Sequence, residues 1–264
     1  MTTPTSTEQT ADLLHAVLAD LAIVVGGITP EQLHAPRPCT AFDVEQLRDH
    51  VLGWLTHFAA GFADPDGHAP NADIDGYQAP ADAAGQVRAA AEKLDRAIRG
   101  GAATRPLRLG DSAMPGDLAL GMILWEYQVH GWDLARATGQ HWSPPIAAAQ
   151  ESLNFAPAML SDDYQGDGKP FGKPVDVPAG ATLLDRLLGL SGRNPPDSGR
   201  RSRGLAWAVP AAGRRGSGRG RFTAMVRLRP RGRRRGTSCS AGRSRATARR
   251  ARATAPTGPS YRAG

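Results

Sequence analysis

Apolar side chains recur at steps of three and four along most of the first 198 residues, and no comparable stretch shows the two-residue alternation of a strand. A chain patterned this way folds as packed helices. In "ADLLHAVLADLAIVV" the pattern follows Ser6 and Gln9, a capping-box pair, which predicts a first helix of about five turns stopping at Gly26-Gly27. Asp43 can cap a second helix on which Val44, Leu47, Val51, Trp54 and Phe58 share one face. A third, "GQVRAAAEKLDRAIRGG", turns Val87, Ala91, Leu94 and Ile98 inward. A fourth starts near Asp117 and carries a seam of Leu118, Met122, Trp125, Val129 and Trp132, which reads as core packing. Shorter helices are expected in "PIAAAQESLNFAPAML" and, ending at Gly192, in "VPAGATLLDRLLGLSGRNPP". Residues 62–82 show little periodicity and read as a crossover between neighbouring parallel helices. The expected fold class is all-α: a four-helix bundle with a long crossover, followed by an unstructured Arg-rich tail.

Charge divides the chain into the same two domains. Residues 1–198 hold 25 acidic and 13 basic side chains, net −12, whereas residues 199–264 hold 19 Arg and no Lys, Asp or Glu, net +19. The overall charge of +7 therefore describes the tail. Three readings of the tail stay open. It can be an Arg/Gly segment that binds nucleic acid through phosphates, whereas the acidic body alone is expected to repel such a partner. It can be plain disorder, since so few apolar residues and so much like charge build no core. The third and favoured reading is a frameshift in GC-rich DNA, which yields Arg, Gly, Ala, Pro and Ser. At the body's acidic density the tail would hold about eight Asp or Glu, and Asn, Gln, Ile and His are missing too.

The start "MTTPTSTEQTADLL" lacks the basic and apolar regions of a signal peptide, and the longest apolar runs fall short of a membrane span. A cytoplasmic location with no membrane partner is expected. Cys39 and Cys239 form no Cys-x-x-Cys pattern, which fits a reducing compartment and argues against a thiolate zinc site. Cys39 reads as a small buried residue rather than a reactive thiol.

One spacing points to chemistry. In "WEYQVHGWDLARATGQ", Glu126 and His130 lie one helical turn apart on a stripe that is mostly apolar. A carboxylate facing inward without a partner costs several kcal/mol, on the order of a lost charge pair, unless a cation is held there. The third ligand of such a cation is expected from a facing helix, and His50 in "LRDHVLGW" is the candidate, with His57 as fallback. Two His and one carboxylate leave a coordination position open, which is the composition of a catalytic site. Zinc suits the set best, and nickel or iron(II) would accept it. Asp133 can orient a ligating histidine or simply pair with Arg136. The competing reading is an exposed i,i+4 pair of no chemical consequence. His15, His34, His68 and, unless it serves as that fallback, His57 read as ordinary surface or loop residues.

"RPCTAFDVEQLRDHVLGWL" resembles the Pro-Cys-Thr, aromatic, Leu-x-x-His-Val segment of the DinB-like metal-binding domains typified by the N-terminal domain of mycothiol-dependent maleylpyruvate isomerase. "EYQVHGWDLARATGQ" is similar to that family's Glu-x-x-x-His signature, and "LLDRLLGLSGRNP" to the usual end of a short-chain branch; the resemblance spans residues 8–197. It implies metal ligands at His50, Glu126 and His130. It also implies a low-molecular-weight thiol such as mycothiol as cofactor, acting on an electrophilic small molecule. The isomerase's second, C-terminal domain has no match here, so an isomerase or S-transferase of other substrate is expected. Alternatives are a non-catalytic metal or ligand-binding module and nucleic-acid binding through the tail. A homodimer is compatible with all of these.

Overall fold

Capping side chains set where the helices begin. The computed structural model describes residues 6–34, 43–160, 165–166 and 172–195; Cys39, Cys239 and all of 199–264 lie outside the described residues. At the head of α1 (Thr7–Gly26) the Ser6 hydroxyl accepts from the Gln9 N–H, and the Gln9 side chain accepts from the Ser6 N–H. Asp43 and Gln46 repeat the exchange at α2 (Val44–Ala63). Asp82 caps α3 (Ala83–Arg99), and Thr182 caps α6 (Leu183–Leu190). α4 (Gly116–Thr138) follows Pro115 and stops at Gly139, whose φ of 69° is the left-handed conformation glycine tolerates best. α5 (Ile146–Met159) completes the set.

The described residues are mostly helical: six α-helices and one small hairpin. α1 and α2 each pack against both α3 and α4, while α5 joins α4 to α6. The apolar spacings land where the periodicity places them: Leu14, Val17, Leu18 and Leu21 of α1, Leu47, Val51 and Phe58 of α2, and Val87, Leu94 and Ile98 of α3 are all buried. Removing each such side chain from water contributes about 1.5–3 kcal/mol. α4 is enclosed on nearly every side, with Leu120, Ile123, Leu124 and Trp125 all in the core. Even its Gln128 is fully buried, tied to α5 by donating to the Ala148 carbonyl at 3.2 Å and the Ser152 hydroxyl at 2.7 Å.

Four expectations need correction. The chain is not purely helical: β1 (Leu107–Leu109) and β2 (Ser112–Met114) pair antiparallel around a Gly110-Asp111 turn, where Gly110 has a φ of 58°. Leu118 is exposed, because the α4 seam becomes enclosed only a turn further on. The aperiodic connection runs from Asp64 to Asp82, because α2 holds its helical bonds through Ala63. α1, finally, is long and apolar enough by length and composition to cross a membrane. Its apolar face is what α3 and α4 cover, and its Asp12 pairs with Arg99 of α3 at 2.6 Å.

The loop between α2 and α3 is tied down beside the candidate ligand His50. Asp49 accepts the Ala79 N–H at 3.1 Å, and the Tyr77 ring lies directly on Gly53, where a methyl group would already be tight.

Candidate metal and ligand site

His50 lies on α2 between buried Leu47 and Val51, at the edge of the apolar face. Glu126 and His130 project from α4 toward it. The His130 Nε2 stands 3.0 Å from Glu126 Oε2, and the two side chains are only 17% and 13% exposed. This pair is therefore not a solvated surface pair. The His50 and His130 rings meet edge to face, with centroids 5.7 Å apart. All three residues line one pocket of about 400 Å³, its open mouth included. The remaining wall comes from Val51, Trp54, Phe58, Met122 and Tyr127. Trp54 is thus a half-buried pocket wall as well as a packing residue.

One atom in this cluster is not satisfied. Glu126 Oε1 is buried and has no hydrogen-bond partner. An acceptor in that condition costs on the order of 1–3 kcal/mol, more when charged, so a donor or cation at that point is strongly favoured. Two donors held roughly 2.0–2.1 Å from one ion stand about 3 Å or slightly more apart, which is the Glu126–His130 separation. The spacing of these two donors is that of a pair able to share one divalent ion. Among the described residues, however, no three His, Cys, Asp or Glu side chains form a ready-made coordination shell. His130 Nε2 is turned onto Glu126 instead.

The other face of His130 is held by Asp133, whose Oδ2 lies 3.3 Å from Nδ1. With Nδ1 held on that carboxylate, the ring orientation is fixed so that Nε2 is the nitrogen facing Glu126 and the pocket. Asp133 is itself fully buried, and Arg193 reaches it from beyond α6, with Nη2 at 2.8 Å from Oδ2. Arg193 also donates to the Ser191 carbonyl at 2.8 Å, and the Ser191 hydroxyl accepts from Trp125 Nε1 at 2.8 Å, which locks this segment onto α4. Burial pushes the His130 imidazole down, but the hydrogen bonds it donates to Asp133 and Glu126 outweigh this and raise its pKa to about 9. Burial pushes the Asp133 carboxyl up, yet His130 and Arg193 hold it at about 2. The His130 ring is thus held between the carboxyl groups of Glu126 and Asp133.

The family model described as the mycothiol maleylpyruvate isomerase N-terminal domain matches residues 14–135. An uncharacterized protein of Mycobacterium tuberculosis (strain ATCC 25618 / H37Rv) is 32% identical over 172 residues, covering 65% of this chain and 91% of the relative. Its counterpart in strain CDC 1551 / Oshkosh matches to the same extent. The chain belongs to the mycothiol maleylpyruvate isomerase N-terminal domain family. No solved structure gives a significant match.

In this family member the matched segment contains His50, Glu126, His130 and Asp133 but stops well short of Arg193. Sequence reasoning also missed Arg193, because Arg136, three residues from Asp133, offered a nearer partner. His57 does not line the pocket. It is buried on α2 with its ring against Trp54, centroids 5.6 Å apart, and its Nδ1 has no hydrogen-bond partner. The expectation of a surface residue or fallback ligand at His57 is corrected accordingly. His15, His34 and His68 are exposed, as expected.

Proposed function

We propose that His50, Glu126 and His130 hold one divalent metal, zinc by donor set with nickel or iron(II) also accepted, and that this family member is a thiol-dependent cytoplasmic enzyme. The observation that carries the reading is the buried, unpartnered Glu126 Oε1 in a pocket shared with two imidazoles. A DinB-like four-helix bundle formed by α1 to α4, with the Asp64–Asp82 connection as its crossover, is the frame that brings α2 and α4 together at this point.

Among the described residues, no Cys, Ser, Thr or Lys lines the pocket. That supports an external thiol, and the family name points to mycothiol. A divalent ion in the site would lower the pKa of such a thiol. Asp133 fixes the His130 ring, the apolar walls exclude water, and the acceptor molecule enters beside them. Addition of the thiolate to an activated double bond, rotation about the resulting single bond and expulsion of the thiolate would isomerise an acceptor. Displacement, in which the leaving group departs with its electron pair, would make the protein an S-transferase.

The test is consumption of mycothiol with a set of electrophiles by the full chain, before and after chelation. Turnover lost on chelation and restored by one metal equivalent is expected. Metal uptake without turnover of any pair would instead favour a non-catalytic binding module.

For residues 199–264 we propose an out-of-frame reading of the gene, supported by the absence of any acidic residue among 66 positions. The nucleotide sequence tests it: a stop codon in another frame soon after the codon for Ser198 is expected. If none is present, the Arg-rich segment is a genuine part of the protein and nucleic-acid binding becomes the reading to examine.

A further inference from the structure

The pocket beside the cluster has walls of one chemical kind. Trp54 and Phe58 stack along α2, their ring centroids 5.3 Å apart and their planes 28° apart. Val51 and Met122 add aliphatic and thioether surface facing the same space. Tyr127 offers only its ring, because its buried hydroxyl donates to the Val51 carbonyl at 3.3 Å. Among the described residues, no Lys or Arg lines the pocket.

Along these apolar walls an anionic group would lose its water shell with no basic side chain to receive it. It would also approach Glu126, and the nearby His130 is already engaged by two carboxylates. An aromatic ring or branched hydrocarbon would bury its surface against Trp54 and Phe58 at no such cost.

We infer that this pocket receives an uncharged, apolar part of the electrophile and disfavours a carboxylated one. The inference rests on the reading of His50, Glu126 and His130 as the reactive end of the site, and deepens it. The walls thus suit an uncharged aromatic or branched portion of an electrophile, whereas maleylpyruvate, the compound in the family's name, carries two carboxylates.

The test compares two molecules of one shape, 4-chlorobenzyl alcohol and 4-chlorobenzoate, by calorimetric titration of the full chain. Metal content is measured on the same sample, and the titrations are repeated after chelation so that the carboxylate has no ion to ligate. The alcohol is expected to bind the chelated protein at least tenfold more tightly. Phe58→Ala should weaken the alcohol at least fivefold, and Trp54→Arg, at a half-buried position, should erase or reverse the preference. Should Phe58→Ala fail to fold, the wild-type ratio and Trp54→Arg still decide. Equal or tighter benzoate binding, or no binding of either probe, overturns the inference whatever the metal content. A preference that persists in a protein unable to take up metal overturns the metal reading alone.

Discussion

Asp133 and Arg193 lie 60 residues apart in the chain and 2.8 Å apart in the fold, in an ion pair whose carboxylate is fully buried. The same carboxylate oxygen holds His130, so the segment after α6 is mechanically connected to the candidate metal site.

Arg193→Met is expected to leave Asp133 buried with only His130 as partner. Breaking one side of a buried pair costs about 3–5 kcal/mol, and the partial exposure of Arg193 lowers the expected loss to roughly 2–3 kcal/mol. Urea unfolding measures it. Metal affinity should fall about 10–100-fold, because the carboxylate that orients His130 is no longer anchored. A variant with unchanged stability and metal affinity would show that the ion pair is incidental.

His130 carries a proton in the metal-free site up to about pH 9, since Asp133 and Glu126 outweigh the effect of burial. Its folded pKa lies above the ordinary histidine value, so its stabilisation is fully present below about pH 6.5 and lost as pH rises through about 9. A metal must displace that proton. Calorimetry at pH 7.5 in buffers of different ionisation enthalpy should report close to one proton released per metal bound, and His130→Gln should abolish the release. No release in the wild type would contradict the assignment of His130 as a ligand.

His57 behaves in the opposite sense. Burial holds its imidazole below the ordinary value, so the folded protein keeps it neutral while the unfolded chain takes up a proton. Stability contributed by the neutral state is therefore lost as pH falls below about 6.5. His57→Leu also removes a buried Nδ1 without a partner, and it should raise stability at pH 5 by more than at pH 8. Parallel denaturation curves at the two pH values check this; an equal change at both would not fit.

Gly131 on α4 faces the Trp142 indole so closely that a methyl group would overlap it. Gly131→Ala is expected to cost about 1–3 kcal/mol despite the better helix propensity of Ala, because either the indole or the helix must move. Since His130 is the adjacent residue, a reduced metal affinity should accompany the drop in melting temperature. A stabilised variant would contradict this packing.

Much of the helical frame was legible because it depends on local rules. Ser6 with Gln9, and Asp43 as a cap, fix helix starts through side chains three residues apart, and the inward positions of α2 and α3 follow from spacing alone. The hairpin was also signalled, by a Gly-Asp pair between Leu107-Arg108-Leu109 and Ser112-Ala113-Met114, but three-residue strands are too short for their alternation to stand out. Leu118 was misplaced because a periodic stripe does not say where a neighbouring helix ends. Within the site, Glu126 and His130 could be paired from one helix's geometry, and His50 from its place at a seam edge. Arg193 could not, since nothing local distinguishes a long-range partner of Asp133 from Arg136. The apolar side of the pocket was hidden for the same reason: Trp54 and Phe58 carry ordinary core spacing, and only the packing of α2 against α4 leaves open space beside them.

The central claim is that His50, Glu126 and His130 share one cation. Elemental analysis of the purified full chain beside His50→Ala, Glu126→Ala and His130→Ala tests it directly, with circular dichroism confirming that each variant is folded. The account predicts about one divalent metal per wild-type chain and a loss of at least tenfold in affinity in each variant. Equal metal content in all four proteins, or none in the wild type after incubation with zinc, nickel and iron(II), would contradict it.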